Sequence, residues 1–192
     1  AHNWHPMAFN PDTGLVYIPV NEIPFFYDKT RNVDDSKSFW NLGYDAAAAW
    51  PVEYPAGTLD ALADMDGGSL LAWDPVKAEP RWAVPFALPL NGGVLSTEAG
   101  LVFQGNKFGD LVAYDAETGE RLWSERLVGN AAAAPMTYEI DGEQHLSVLS
   151  GWGSLSNLVA GFTYGQAAGK EPARVITFKL GGNEMMPAPL AD

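Results

Sequence analysis

Along much of this chain, short strand-like runs of apolar residues are punctuated by clusters of turn residues. Val112 and Tyr114 lie in one run, Leu122 and Trp123 in the next, and Asp115-Ala116-Glu117-Thr118-Gly119-Glu120 between them reads as the turn of a hairpin. Asp115 can accept hydrogen bonds from turn amides, and Gly119 can take a positive φ. Further hairpins are predicted at Thr97-Glu98-Ala99-Gly100, at Asn106-Lys107-Phe108-Gly109, and at Asp141-Gly142 between residues 136–140 and 145–149. The last is the strongest short-range signal, because Asp-Gly suits the positive φ angles of a two-residue hairpin turn. A closing strand is predicted over residues 175–180, after a loop over residues 167–174.

One of these units repeats. Leu70-Leu71-Ala72-Trp73-Asp74 followed by Arg81-Trp82 returns as Leu111-Val112-Ala113-Tyr114-Asp115 followed by Leu122-Trp123. The two Asp residues and the two Trp residues are each 41 positions apart, within the range of about 40–45 expected for one four-stranded propeller blade. Each Trp would then cover the space between neighbouring blades. Asp74-Pro75-Val76-Lys77-Ala78-Glu79-Pro80 lacks the Thr-Gly of the second copy, so its turn is expected to close differently. A partial third echo runs from Met7 through Asn10-Pro11-Asp12-Thr13-Gly14 to Ile18. The expected fold is all-β: a β-propeller, with about four blades in residues 1–192. Residues from about 20 to 66 do not repeat and read as a long loop insertion from the propeller top, where functional loops tend to sit.

Composition supports this class: 47% hydrophobic residues with seven Trp and 20 Gly suit an all-β protein rich in turns. The net charge of −13 argues against nucleic acid and anionic membrane surfaces as partners; an acidic surface suits a basic protein partner or simply solubility. Without cysteine, the chain holds no disulfide, thiolate zinc site, iron–sulfur cluster or Cys-x-x-Cys-His haem attachment. It contains no run of 18 apolar residues and no signal-peptide pattern, hence no membrane span. It opens without Met, directly on a motif, so a partial segment is expected.

That opening motif, His2-Asn3-Trp4-x-Pro-Met-Ala leading into Thr13-Gly14-Leu15-Val16-Tyr17-Ile18-Pro19, resembles a segment of the quinoprotein (pyrroloquinoline quinone-dependent) alcohol dehydrogenases, the quinohaemoprotein type among them. So do Asn91-Gly92-Gly93-Val94-Leu95-Ser96-Thr97, Gly100-Leu101-Val102-Phe103-Gln104-Gly105, Gly151-Trp152-Gly153 and Thr177-Phe178-Lys179-Leu180-Gly181-Gly182, in the family's order. Some members have Trp immediately before the Asn-Gly-Gly, where this chain has Leu90. The resemblance implies the C-terminal part of an eight-bladed periplasmic propeller whose axis holds pyrroloquinoline quinone (PQQ) and Ca²⁺. It also implies an alcohol substrate, and cytochrome c or a fused haem domain as electron acceptor. The family's Ca²⁺ ligands, catalytic aspartate and vicinal-cysteine disulfide come from the earlier part of the propeller, so no catalytic or metal residue is assigned here and the segment alone is expected to be inactive. The cofactor-binding residues it implies are Asn3 and Trp4 against the quinone, and Gly151 with Trp152 at its rim.

Physical chemistry supports those residue types. A flat, tricarboxylated quinone needs an apolar planar platform and donors at its oxygens, which Trp faces and an Asn amide supply, while glycine lets the backbone approach closely. As plain structure, Trp4 and Trp152 would be blade-packing aromatics like Trp82 and Trp123. His2 and His5, in a strand-like stretch at i, i+3, would point to opposite faces and read as a polar loop pair rather than a metal site. Asp34-Asp35 reads as solvated charge, and no Ser-His-Asp arrangement is legible around Ser150 and Ser154. Phe25, Phe26, Trp40 and Trp50 are many large apolar groups for a solvated loop, and are expected at a substrate channel entrance or an acceptor surface. The alternative function is a non-catalytic propeller with the same repeats, acting as a protein-assembly scaffold.

Overall fold

The computed structural model describes residues 2–22, 65–127, 129–151, 172–184 and 186, and every regular element among them is a strand. Strands β1 (Ala8–Asn10), β2 (Leu15–Asn21), β3 (Gly68–Asp74) and β4 (Glu79–Phe86) form a four-stranded sheet in chain order. A second such sheet holds β5 (Val94–Ser96), β6 (Leu101–Gly105), β7 (Asp110–Asp115) and β8 (Arg121–Arg126). The third has three strands, β9 (Met136–Ile140), β10 (Glu143–Ser150) and β11 (Arg174–Lys179). All neighbours are antiparallel, so each sheet is a meander, the unit of a propeller blade. Three of the roughly four expected blades thus lie in the described residues.

The 41-residue period is the spacing between successive sheets. Asp74 ends β3 as Asp115 ends β7, Trp82 lies in β4 as Trp123 lies in β8, and both sheets slip register at the same place, between Ala72 and Trp73 and between Ala113 and Tyr114. The turns repeat as well. The Oδ1 of Asp115 accepts from the amides of Glu117 (3.0 Å) and Thr118 (2.9 Å), and that of Asp74 accepts from Val76 (3.0 Å) and Lys77 (3.0 Å). The first copy therefore closes in the same way as the second, contrary to the expectation drawn from its missing Thr-Gly. Its fifth position, Ala78, takes φ of 56° where Gly119 has 74°. The side-chain cap dictates that conformation, and the exposed alanine carries it with its Cβ strained against the following carbonyl. The third echo uses the same device at a different hairpin: Asn10 accepts from Asp12 and Thr13 between β1 and β2, with Gly14 at φ 68°.

Two clusters of buried apolar side chains join the sheets. Leu15, Tyr17, Leu70 and Ala72 of the first sheet meet Val94, Val102, Val112 and Tyr114 of the second. Leu111 and Leu127 meet Val148 and Ile176 of the third. In β2 burial alternates strictly along Leu15–Asn21, the period of a strand with one face in the core. At the outer end of the first interface the indole N–H of Trp82 and the hydroxyl of Tyr17 both donate to the carbonyl of Ala116, at 3.1 and 3.0 Å. A Cβ on Gly119 would stand 2.7 Å from the Trp82 ring, so the indole lies directly on the next sheet's turn. Trp123 meets the third sheet edge-on at Phe178, with ring centroids 5.4 Å apart, and is 38% exposed. The third sheet has no Asp-x-x-x-Gly turn there to receive it; Gly182 closes a shorter turn on Lys179.

The two ends of the sheets differ. The turns at 11–14, 75–78, 97–100, 116–120 and 141–142 share one end, and all are tight. The opposite end carries one tight turn, 106–109, together with the crossovers 87–93 and 127–135, the approach segment 2–7 and the junctions of residues 22–67 and 151–173. Ala1–Asn21 and Asp66–Asp192 form one compact unit and Glu22–Met65 another. Phe25, Phe26, Trp40 and Trp50 of the expected insertion lie outside the described residues.

Candidate functional site

At the crossover end the backbone of one sheet is hydrogen-bonded to the next. The amide of Val94 donates to the carbonyl of Pro6 (2.9 Å), that of Gly93 to Ala132 (3.3 Å), and that of Gly151 to Asn130 (2.9 Å). These approaches are too close for side chains at two glycines of the Asn91-Gly92-Gly93 motif. A Cβ on Gly92 would fall 2.3 Å from the Ala131 carbonyl oxygen, and one on Gly93 would fall 2.6 Å from the Pro6 ring and 2.9 Å from the Ala134 methyl. Segments 2–6, 91–94 and 129–134 are thereby held side by side.

Buried polar groups concentrate at this end. Asn21, Asn91, Gln104, Asn130, Ser150 and His5 are all buried. Asn91 donates through Nδ2 to the Leu88 carbonyl (2.8 Å) and accepts at Oδ1 from the Lys107 amide (3.1 Å); Gln104 donates to the Gly92 carbonyl (2.8 Å). The amide of Gly129 donates to the Ser150 hydroxyl (3.0 Å), which donates onward to the Gly129 carbonyl. Buried amides satisfied in this way fix a loop at one geometry, since each bond lost would strand a polar atom. Burial holds the half-buried Lys107 ammonium below its ordinary pKa. Asn91 and Gln104 stand in the family-like motifs and Asn21 in none, and nothing in the residue pattern marks the bonds by which all three hold the crossovers.

Of the sequence-derived site residues, Asn3, Trp4 and Gly151 are described, whereas Trp152 lies outside the described residues. Asn3 is exposed, and its Oδ1 accepts from the Trp4 amide (2.9 Å). Trp4 is 59% exposed and stacks on His5 at 5.7 Å and 22°. It therefore fills no interface between the described sheets, unlike Trp82. Gly151 is tied to the 127–135 crossover through Asn130, and a Cβ there would stand 2.8 Å from the Ala173 methyl. It lines a cavity of about 350 Å³ with Asn130, Ala132, Ser150, Ala173 and Arg174. The structure thus brings Asn3, Trp4 and Gly151 to the same end of the sheets.

His2 bridges antiparallel to Val20 and His5 lies in the bend that follows, with the His2 Nε2 2.8 Å from the His5 carbonyl oxygen. Their relation is that of a polar loop pair set by a local turn, not by the two-residue alternation of a strand. Burial, with a smaller contribution from His2, keeps the His5 ring below its ordinary pKa and hence neutral near pH 7. Among the described residues no three His, Asp or Glu side chains group as a metal site, and no helix is long and apolar enough to cross a membrane.

Residues 64–146 match the family described as glucose/ethanol/alcohol dehydrogenase, beta-propeller domain. The chain is 41% identical over 197 aligned positions to quinohemoprotein alcohol dehydrogenase ADH-IIG of Pseudomonas putida, covering 100% of this chain and 27% of that protein. It is 36% identical to 1-butanol dehydrogenase (cytochrome c) of Thauera butanivorans, covering 97% and 26%. The solved structure of ADHIIG from Pseudomonas putida superposes with a TM-score of 0.78 at 37% identity, over 100% of this chain and 28% of that one. The chain spans about a quarter of the length of these relatives.

Proposed function

We propose, on the premise that this chain belongs to the PQQ β-propeller family of alcohol dehydrogenases, that it forms the C-terminal portion of an eight-bladed ring and supplies one wall of the cofactor pocket. The observation that carries this reading is the likeness over the whole chain to quinohemoprotein alcohol dehydrogenases of which it spans about a quarter. In this reading the complete protein is periplasmic, oxidises an alcohol to an aldehyde with PQQ and Ca²⁺, and passes the electrons to a cytochrome c or a fused haem domain.

The exposed residues fit a flat anionic quinone. Trp4, open on the crossover end, offers a planar apolar platform, and the exposed amide of Asn3 offers donors to quinone or carboxylate oxygens. Gly151, and by resemblance Trp152, would border the cofactor's edge. A bound quinone would supply the hydride acceptor for oxidation at the alcohol carbon. The base that takes the hydroxyl proton and the Ca²⁺ ligands belong in this reading to the remainder of the propeller. In this reading Phe25, Phe26, Trp40 and Trp50 of the expected insertion at about 20–66 serve the substrate channel or the acceptor surface.

The test is dye-linked alcohol oxidation by the purified chain with added PQQ and Ca²⁺, alone and co-expressed with the rest of the propeller. Activity is expected only in the second case; turnover by the chain alone would refute the division of labour.

A further inference from the structure

We propose that Asn21 and Leu90 are positioning residues that hold the Asn3–Trp4 segment in the geometry a bound quinone requires; this rests on the reading of Asn3 and Trp4 above. Three non-glycine residues have positive φ among the described residues, and two of them, Ala78 and Asp141, sit in exposed tight turns. The third is Leu90, at 61°, half-buried in the 87–93 crossover. No hairpin geometry demands that conformation, and a Leu side chain opposes it through the clash of Cβ with the following carbonyl. Such strain persists only where surrounding bonds over-determine it, and it collects at working sites.

The bonds responsible are on either side of Leu90. Its amide donates to Asn21 Oδ1 at 2.6 Å. Asn91 and Gln104 then hold the next two residues through the Leu88 and Gly92 carbonyls and the Lys107 amide. Asn21 ends β2, and its neighbour Val20 bridges to His2. Beyond Leu90 the chain enters β5 at Val94, whose amide donates to the Pro6 carbonyl. These ties close a circuit: Asn21 to Leu90, Leu90 along the backbone to Val94, Val94 to Pro6, Pro6 back along the chain to His2, and His2 to Val20. Asn3 and Trp4 are suspended between the two anchored points, His2 and Pro6. The span between those anchors is set by how far the end of β2 stands from the start of β5, and the Asn21–Leu90 bond ties the end of β2 to the crossover four residues before β5.

The experiment uses the complete dehydrogenase carrying Asn21→Ala, Leu90→Gly, both together, or Trp4→Ala. Three quantities are measured: the affinity of the apoprotein for PQQ, the thermal midpoint, and amide exchange at Leu90 and Val94. Asn21→Ala is expected to weaken PQQ binding about tenfold, the order of one lost buried hydrogen bond, and to speed exchange at both amides. Leu90→Gly should leave affinity within about threefold, because glycine holds positive φ without the clamp, and should restore most of the affinity in the Asn21→Ala background. A purely structural bond would lower the midpoint with affinity unchanged, or with a loss that glycine does not rescue; either result overturns the proposal. If Trp4→Ala binds PQQ as tightly as the parent, the assignment of Asn3 and Trp4 fails and takes the purpose of the clamp with it. If Trp4→Ala loses affinity while Asn21→Ala does not, the clamp alone is wrong.

Discussion

Changing Tyr17 and Trp82 to Phe together should cost more stability than the two single changes added. Both side chains donate to one acceptor, the carbonyl of Ala116, at 3.0 and 3.1 Å, and Ala116 is 1% exposed. Tyr17→Phe removes a buried hydroxyl but leaves the carbonyl its bond from the indole, so about 1 kcal/mol is expected, with Thr13 half-buried and able to turn its own hydroxyl elsewhere. Trp82→Phe removes the other donor and part of the ring that lies on Gly119, for about 1–2 kcal/mol. In the double variant the carbonyl is buried with neither donor, and the desolvation penalty of about 1–3 kcal/mol appears for the first time. The coupling should therefore reach about 1 kcal/mol or more in the destabilising direction. Urea unfolding of the four chains measures it from the midpoints, provided the slopes agree. Additivity within about 0.5 kcal/mol would mean that water or another donor replaces the lost bonds, and the docking geometry described here would not hold.

Ala78→Gly should stabilise the chain by about 1 kcal/mol, because the left-handed backbone at 78 no longer carries a Cβ; a lower urea midpoint would refute the strain. Asp115→Asn should flatten the acid limb of the stability profile. The Thr118 hydroxyl first, then the amides of Thr118 and Glu117, hold the Asp115 carboxyl below its ordinary value of 3.8, so its contribution is present above that value and is lost as pH falls through the depressed one. Unfolding midpoints between about pH 5 and pH 2 would show a smaller slope for the Asn variant, and an unchanged slope would assign the acid sensitivity elsewhere. Trp4→Phe should leave the thermal midpoint almost unmoved, since the residue is 59% exposed, while weakening PQQ binding in the complete protein if the proposed function holds; a midpoint drop equal to that of Trp82→Phe would make it a packing residue after all.

The hairpins were legible because the device that closes them is local. An Asx side chain reaches only two or three residues ahead, and the Asp-Gly at 141–142 sits in its own strand pair, so residue types at fixed offsets suffice. The misjudged turn at Asp74 shows the limit of a residue-type rule: the cap decided the geometry, and Ala78 yielded to it. At the candidate site, Asn3, Trp4 and Gly151 came from resemblance, and their common location could not be read from the chain. They come together through bonds such as Val94 to Pro6 and Gly93 to Ala132, between residues far apart in sequence.

By itself the sequence determined the all-β class, the strand pairs and the 41-residue period of the blades, since each follows from interactions within one repeat or between adjacent strands. Only the tertiary structure decided that all the tight turns but one share one end and the crossovers the other, and that Trp82 finds a turn to rest on while Trp123 meets the edge of Phe178. It alone placed Leu90 in a strained conformation under Asn21, 69 positions away. The physical reason is that at Leu90 no local turn or cap selects this conformation, which its own side chain opposes. It exists because distant groups, brought close by the packing of whole sheets, supply bonds that outweigh the strain.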